Sequence, residues 1–151
     1  MESCKTIPTK QGLPNAICAI FRTLSAEQHF LGKTLEEAEA LFRENSLYYQ
    51  EDLLFMGPIA FRFYVEAAIN YLKSESAASN SDMVSCMAGL LENRLEYEAS
   101  ELTPIASRLA SLCRYIIDHY ERFDVMPEIY GDLRPRYQLL ERMFVQYSGA
   151  K

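Results

Sequence analysis

Apolar residues recur along the chain at the three- and four-residue spacings of an amphipathic α-helix, and no stretch shows the strict alternation of a half-buried strand. The clearest such faces are Ile17, Ile20, Phe21 and Leu24; Leu35, Ala38, Leu41 and Phe42; and Val84, Met87, Leu91 and Leu95. We therefore predict an all-α fold, a single-domain bundle of five to seven helices.

The helices that follow the one beginning at Ile17 have local sequence signals at their starts. Thr34-Leu35-Glu36-Glu37 is a capping box, so a helix should begin there and stop near Asn45-Ser46. Gly57-Pro58 and Thr103-Pro104 mark two further starts, because proline at the first helical position lacks only an N–H that would be unsatisfied anyway. These two proline-started helices, about 58–74 and 104–123, are the most apolar and should be central.

The remaining segments read as loops and two outer helices. Residues 74–81 are small and polar, and Ser81 or Asp82 can cap a helix over 83–98. Residues 124–132 form a second loop, after which Asp132 can cap the last helix. Its inward residues are predicted to be Leu139, Leu140, Met143, Phe144 and Tyr147. Residues 1–12 have no apolar periodicity and are expected to be a loose tail, which leaves 13–151 as one helical domain.

Composition supports a globular chain and narrows its partners. Of its 151 residues 49% are hydrophobic and 24% charged, with a net charge of -6. An acidic chain with no basic cluster is a poor nucleic-acid binder, so none is expected as a partner. Seven acids in 27–52 and six in 75–101 are typical of solvated helix faces, or of a surface for a basic partner.

Targeting and cofactor signals are weak. The longest apolar run, Leu53–Phe61, is broken by Gly57-Pro58, and Ala16–Phe21 is too short for a signal-peptide core, so we expect a cytoplasmic protein without a membrane partner. The four cysteines lack metal-ligand spacing, and we expect no metal and no cofactor. Cys18, Cys86 and Cys113 lie in apolar helical stretches and are predicted to fill the core.

The run Phe55-Met56-Gly57-Pro58-Ile59-Ala60-Phe61-Arg62-Phe63-Tyr64, together with the later Leu102-Thr103-Pro104, resembles a family of small bacterial proteins of uncharacterised activity. The shared pattern is F-x-x-P-x-A-F-R-x-Y, and the likeness covers about residues 45–125. The chain departs from it at Val65-Glu66, where an apolar-proline pair is common. The resemblance implies a bacterial, soluble, helical protein and supplies no activity.

One polar stripe stands out on the helix over 58–74. Arg62, Glu66, Asn70 and Lys73 are its polar side chains, at spacings that align them along one side. The stripe could be a solvated face with a structural ion pair, or the floor of a ligand pocket. In the second case Tyr64 and His119 would lie at its rim, with His119 as the first candidate for acid–base chemistry.

A second unusual segment surrounds the start of the last helix. Tyr130, Arg134, Arg136 and Tyr137 belong to the residue types enriched at interface hot spots. The segment could be a recognition patch, with both arginines exposed, or a capped turn in which the arginines pair with acids such as Asp118 or Glu121.

Catalytic loop motifs such as G-x-S-x-G are absent from the sequence, so we expect a non-enzymatic protein-interaction or accessory module, for which an immunity-like role would fit. A homodimer or another protein is the expected partner. The alternative is a small-molecule-binding protein or hydrolase that uses the polar stripe.

Overall fold

The computed structural model describes residues 29–148, and every regular element in this range is a helix. The five long helices are α1 (Leu35–Leu54), α2 (Pro58–Leu72), α3 (Ser81–Glu98), α4 (Ala106–Asp118) and α5 (Arg134–Tyr147). Shorter elements are the 3-10 segments Glu75–Ala77, Ala99–Ile105 and Tyr120–Phe123 and the single turn Pro127–Tyr130. The all-α prediction is confirmed. The expected tail 1–12 and the helix from Ile17 lie outside the described residues.

The chain divides into two compact units, the first ending at Leu72 and the second beginning at Lys73. In the first unit α1 packs on α2. In the second unit α4 packs along α5, and the 3-10 segment Ala99–Ile105 contacts α3, α4 and α5. The expected domain start at residue 13 lies outside the described residues and stays a prediction.

Helix α1 begins as the capping box predicts. The Thr34 hydroxyl accepts from the Glu37 amide at 3.1 Å, and the Glu37 carboxylate accepts from the Thr34 amide at 2.9 Å. The predicted stop at Asn45 is a kink instead: Asn45 has φ −159° and ψ 79°, and the helix resumes beyond it. The Asn45 side chain accepts from the Tyr48 amide at 3.2 Å, so it caps the second half of the helix.

Helix α2 is more deeply buried than α1, the other long helix described in the first unit. Ten of its fifteen residues are buried, including both Phe61 and Tyr64 with no exposed surface. The helix begins at Pro58 as predicted. The Phe61 amide donates a hydrogen bond to the Gly57 carbonyl at 2.9 Å, which closes the first turn.

No helix between residues 29 and 148 combines the length and apolar character that crossing a bilayer requires.

Two predicted helix starts in the second unit are shifted. Asn80, rather than Ser81 or Asp82, caps α3, because its side chain accepts from the Met83 amide at 3.2 Å. Pro104 lies inside a 3-10 segment, and the α-helix begins only at Ala106. The predicted helix over 104–123 is therefore an α-helix between two 3-10 segments, with Leu109, Leu112 and Ile116 buried as expected.

Helix α5 buries only part of the predicted face: Leu140 and Phe144 are buried as predicted. Tyr137, Leu140 and Phe144 are buried, whereas Leu139 is 51% exposed and Tyr147 37% exposed. The prediction of inward Leu139 and Tyr147 is wrong: the buried stripe of α5 consists of Tyr137, Leu140 and Phe144. Leu139 points about 100° away from Leu140, and Tyr147 is the last residue of the helix.

Candidate functional site

The polar stripe lies at the solvent margin of α2. Arg62 and Glu66 are half-buried, and Asn70 and Lys73 are exposed. Asn70 donates from Nδ2 to the Glu39 carboxylate at 2.7 Å, which links α2 to α1. Arg62 and Glu66 each have interactions of their own within the protein. Arg62, Glu66 and Asn70 thus lie along a partly covered edge of the first unit, whereas Lys73 follows the end of α2 and belongs to the second unit.

Tyr64 does not lie at the rim of that stripe. It is fully buried, and its hydroxyl lies 2.5 Å from the Phe30 carbonyl and 2.9 Å from the Lys33 carbonyl. Burial raises the pKa of the Tyr64 phenol. A neutral phenol donating to the backbone holds the segment before α1 against α2, so its role is structural.

His119, which belongs to the second unit, is exposed and stacks on Tyr115 with ring centroids 4.2 Å apart. Its Nδ1 lies 3.0 Å from the Tyr115 carbonyl. Since a carbonyl only accepts, this bond places the proton on Nδ1 and leaves Nε2 directed away from it. Asp118 does not orient the imidazole, because its carboxylate pairs with Arg114 at 3.3 Å.

Two cations flank the same tyrosine. The Lys73 ammonium lies 5.8 Å and the Arg122 guanidinium carbon 5.7 Å from the centre of the Tyr115 ring. Arg122 also donates to the Tyr115 hydroxyl and to the Ser74 carbonyl. We call Lys73, Ser74, Tyr115, His119 and Arg122 the Tyr115 cluster. Of the residues predicted as candidates, Lys73 of the polar stripe and His119 belong to it.

The arginines of the segment 130–137 pair with carboxylates, although not with the predicted ones. Arg134 bonds to Asp132 through two nitrogens at 2.9 and 3.0 Å, and Arg136 bonds to Glu92 in the same manner at 2.9 and 2.7 Å. These pairs are about half-exposed.

The two tyrosines of that segment are fixed by acceptors in α3. Tyr137 is fully buried with its hydroxyl donating to the Val84 carbonyl at 2.5 Å, and Tyr130 donates to the Asp82 carboxylate. Three of the four residues therefore hold the start of α5 against α3, and Arg134 holds its own turn.

A histidine–carboxylate pair in the first unit was not predicted. His29 Nδ1 lies 2.6 Å from Asp52 Oδ2, and the imidazole packs against Tyr48 and Tyr49 with centroids 5.4 and 5.0 Å away. The Asp52 side chain is only 8% exposed. An imidazole oriented by a carboxylate is a pattern that acid–base catalysts use. The pair also connects the segment that precedes α1 to the second half of that helix. The two residues are 23 positions apart, and no local signal connects them.

Two further buried polar groups, the Cys113 thiol and the Arg94 guanidinium, lie in the second unit. Burial raises the pKa of the Cys113 thiol to about 12, which agrees with its predicted role as core filler. Arg94, 2% exposed, forms an ion pair with Glu98 one turn away in α3. No group of three metal-ligating side chains occurs within the described part of the chain.

The outer face of α5 carries an apolar surface. Leu139 and Val145 are each 51% exposed, and they line an open depression of about 600 Å³ together with Glu141, Arg142, Met143 and Gln146. We call Leu139, Arg142, Met143, Val145 and Gln146 the outer α5 face. Sequence reasoning missed it because it assigned Leu139 and Met143 to the core.

No protein-family model, curated protein or solved structure matches this chain. The resemblance at residues 55–64 therefore stays an expectation, and function must be argued from the geometry above.

Proposed function

We propose that this chain is a non-enzymatic protein-interaction module that works as a homodimer through the outer α5 face. The observation that carries the proposal is the half-exposure of Leu139 and Val145 around one depression. Large apolar side chains gathered at one surface position are typical of protein contacts.

The charge pattern favours a second copy as the occupant. Arg142 is an exposed cation within the apolar face, whereas the chain as a whole has a net charge of -6. An acidic partner complements it, and a second copy is acidic. In a two-fold arrangement of antiparallel α5 helices, the Leu139 of each copy would enter the depression of the other.

The test is the mass of the protein in solution by sedimentation equilibrium. We expect a dimer for the wild type and a monomer for Leu139→Asp, with unchanged helical content because Leu139 is not part of the core. Tyr97→Asp is the matched control, since Tyr97 is a 71% exposed aromatic residue on α3. It should remain dimeric.

A wild type that stays monomeric at high concentration contradicts the proposal. So does a Tyr97→Asp variant that dissociates as readily as Leu139→Asp, because the contact would then not be specific to the outer α5 face.

A second candidate function is small-molecule binding on the polar stripe. It is favoured by the half-burial of Arg62 and Glu66, which places a cation and a carboxylate at a partly covered edge. A thermal-shift screen against a metabolite panel tests it: a ligand at 100 times its dissociation constant adds about 2.7 kcal/mol to the stability. That gain should vanish in Glu66→Ala.

A further inference from the structure

The Tyr115 cluster concentrates positive charge without a carboxylate to balance it. Lys73 and Arg122 both lie within 6 Å of the centre of one phenol ring, and within residues 29–148 neither forms an ion pair with an acidic side chain. The imidazole of His119 stacks on the same ring. An anion that contacts both cations would balance their charge.

Four other arginines in the second unit are neutralised within the protein. Arg94, Arg114, Arg134 and Arg136 each bond to a carboxylate. Arg134 makes the best comparison with Arg122, because its guanidinium also lies over a tyrosine, 5.0 Å from the Tyr120 ring, and yet it binds Asp132. The cluster therefore differs from its surroundings in charge balance and not in residue type.

The Arg122 guanidinium is held in place before any ligand binds. Arg122 is half-buried and fixed by bonds to the Tyr115 hydroxyl and the Ser74 carbonyl. A guanidinium has five N–H donors, so these bonds leave further donors for a ligand. Because the side chain is already ordered, binding costs little rotamer entropy. The Lys73 ammonium is exposed and can turn towards the same point.

We propose that the Tyr115 cluster binds a small oxyanion of the phosphate class. Arg122 supplies fixed planar donors and Lys73 a mobile point charge, a combination suited to a doubly charged tetrahedral anion. His119 lies beside them with Nε2 directed away from the backbone bond that Nδ1 makes. The cluster lies within the second unit, and its occupancy does not depend on dimerisation through the outer α5 face.

The experiment is an NMR titration of the full chain with inorganic phosphate at constant ionic strength, following the ring protons of Tyr115 and His119. Sodium chloride is the reference salt. We expect saturable shifts in the wild type, at least a tenfold weaker affinity in Arg122→Gln and a three- to tenfold weaker one in Lys73→Gln. Arg134→Gln should bind as the wild type does.

Lys73→Gln keeps the test decisive if Arg122→Gln unfolds, because the Lys73 side chain is exposed and lies outside the core. A parallel titration with phosphoserine distinguishes the source of the anion: equal binding indicates a phosphate group on a larger molecule as an acceptable ligand, and binding of inorganic phosphate alone indicates a free anion. Shifts that do not saturate overturn the proposal. Equal affinities of the wild type and Lys73→Gln also overturn it.

Discussion

The segment Tyr130–Tyr137 and the Tyr115 cluster both contain tyrosine and arginine, but their positive charges are balanced differently. In the first, Arg134 and Arg136 each bind one carboxylate through two nitrogens. In the second, Lys73 and Arg122 surround a phenol. Tyrosine and arginine content alone therefore does not identify a binding surface. The carboxylates that folding brings close decide whether an arginine can reach a partner.

The difference has a simple physical basis. An exposed arginine that is already paired must give up its carboxylate before it can bind another anion, so the exchange brings little net gain. An arginine held by neutral oxygen acceptors has no carboxylate to give up before it binds an anion. We thus assign a structural role to the first region and a binding role to the second, and the following predictions test that contrast.

The largest expected effect lies in the structural region. Tyr137→Ala should lower the free energy of unfolding by about 3–5 kcal/mol, because it removes a fully buried aromatic ring together with its hydrogen bond to the Val84 carbonyl. Urea denaturation, monitored by circular dichroism, measures the change in the free energy of unfolding. The control is Tyr97→Ala, which should stay within about 0.5 kcal/mol since Tyr97 is mostly exposed. A loss below about 1 kcal/mol for Tyr137→Ala would show that this tyrosine does not anchor α5.

A smaller effect is expected in the Tyr115 cluster. Arg122→Gln should cost about 1–2 kcal/mol, since it removes the bonds to the Tyr115 hydroxyl and the Ser74 carbonyl at a half-buried position. The same denaturation experiment measures it. If the variant is as stable as the wild type, the guanidinium is not held in place, and the argument for a fixed donor is lost.

The pair Arg136–Glu92 should contribute less again. Its two side chains are 42% and 43% exposed, so solvent screens the attraction, and Arg136→Gln should cost about 0.2–1 kcal/mol. A double-mutant cycle with Glu92→Gln isolates the interaction between the two side chains. Raising the salt concentration should reduce it further. A dimer that dissociates in Arg136→Gln would instead return this segment to the recognition role that its composition favours.

The sequence predicts well the features that depend on neighbouring residues. The Thr34 capping box and the proline start at Pro58 are local, and both are found where predicted. Asn45 shows the limit of such signals, because the residue that ends one helix is also able to cap the next. Only the packing of the following residues decides between a stop and a kink.

The sites were harder to predict because they depend on residues far apart in the chain. His29 and Asp52 are 23 positions apart, and Tyr115 is 42 positions from Lys73. Leu139 and Leu140 illustrate a different difficulty: both are apolar, and the sequence alone gives no reason to prefer one for the core. The neighbour that settles the choice is α4, which packs along α5.

The smallest prediction concerns the carboxyl group that balances Arg134. The side-chain bond from Arg134 holds the pKa of Asp132 below its ordinary value of 3.8, and the Arg134 amide, which donates to the same carboxylate at 3.0 Å, lowers it further. A carboxyl with a depressed pKa in the folded protein stabilises the fold above its unfolded pKa and loses that contribution as the pH falls through the folded value. Any loss should therefore occur below about pH 4, where an unperturbed aspartate would already be protonated.

An NMR titration of the Asp132 carboxyl carbon measures this pKa directly. In Arg134→Gln the pKa should rise towards 3.8 without reaching it, because the backbone amide of residue 134 still donates. Arg136→Gln is the control and should leave the Asp132 pKa unchanged, since Arg136 pairs with Glu92. An Asp132 pKa that does not respond to Arg134→Gln would mean that the pair does not form in solution. Arg134 would then be as available to an anion as Arg122, and the contrast between the two regions would no longer hold.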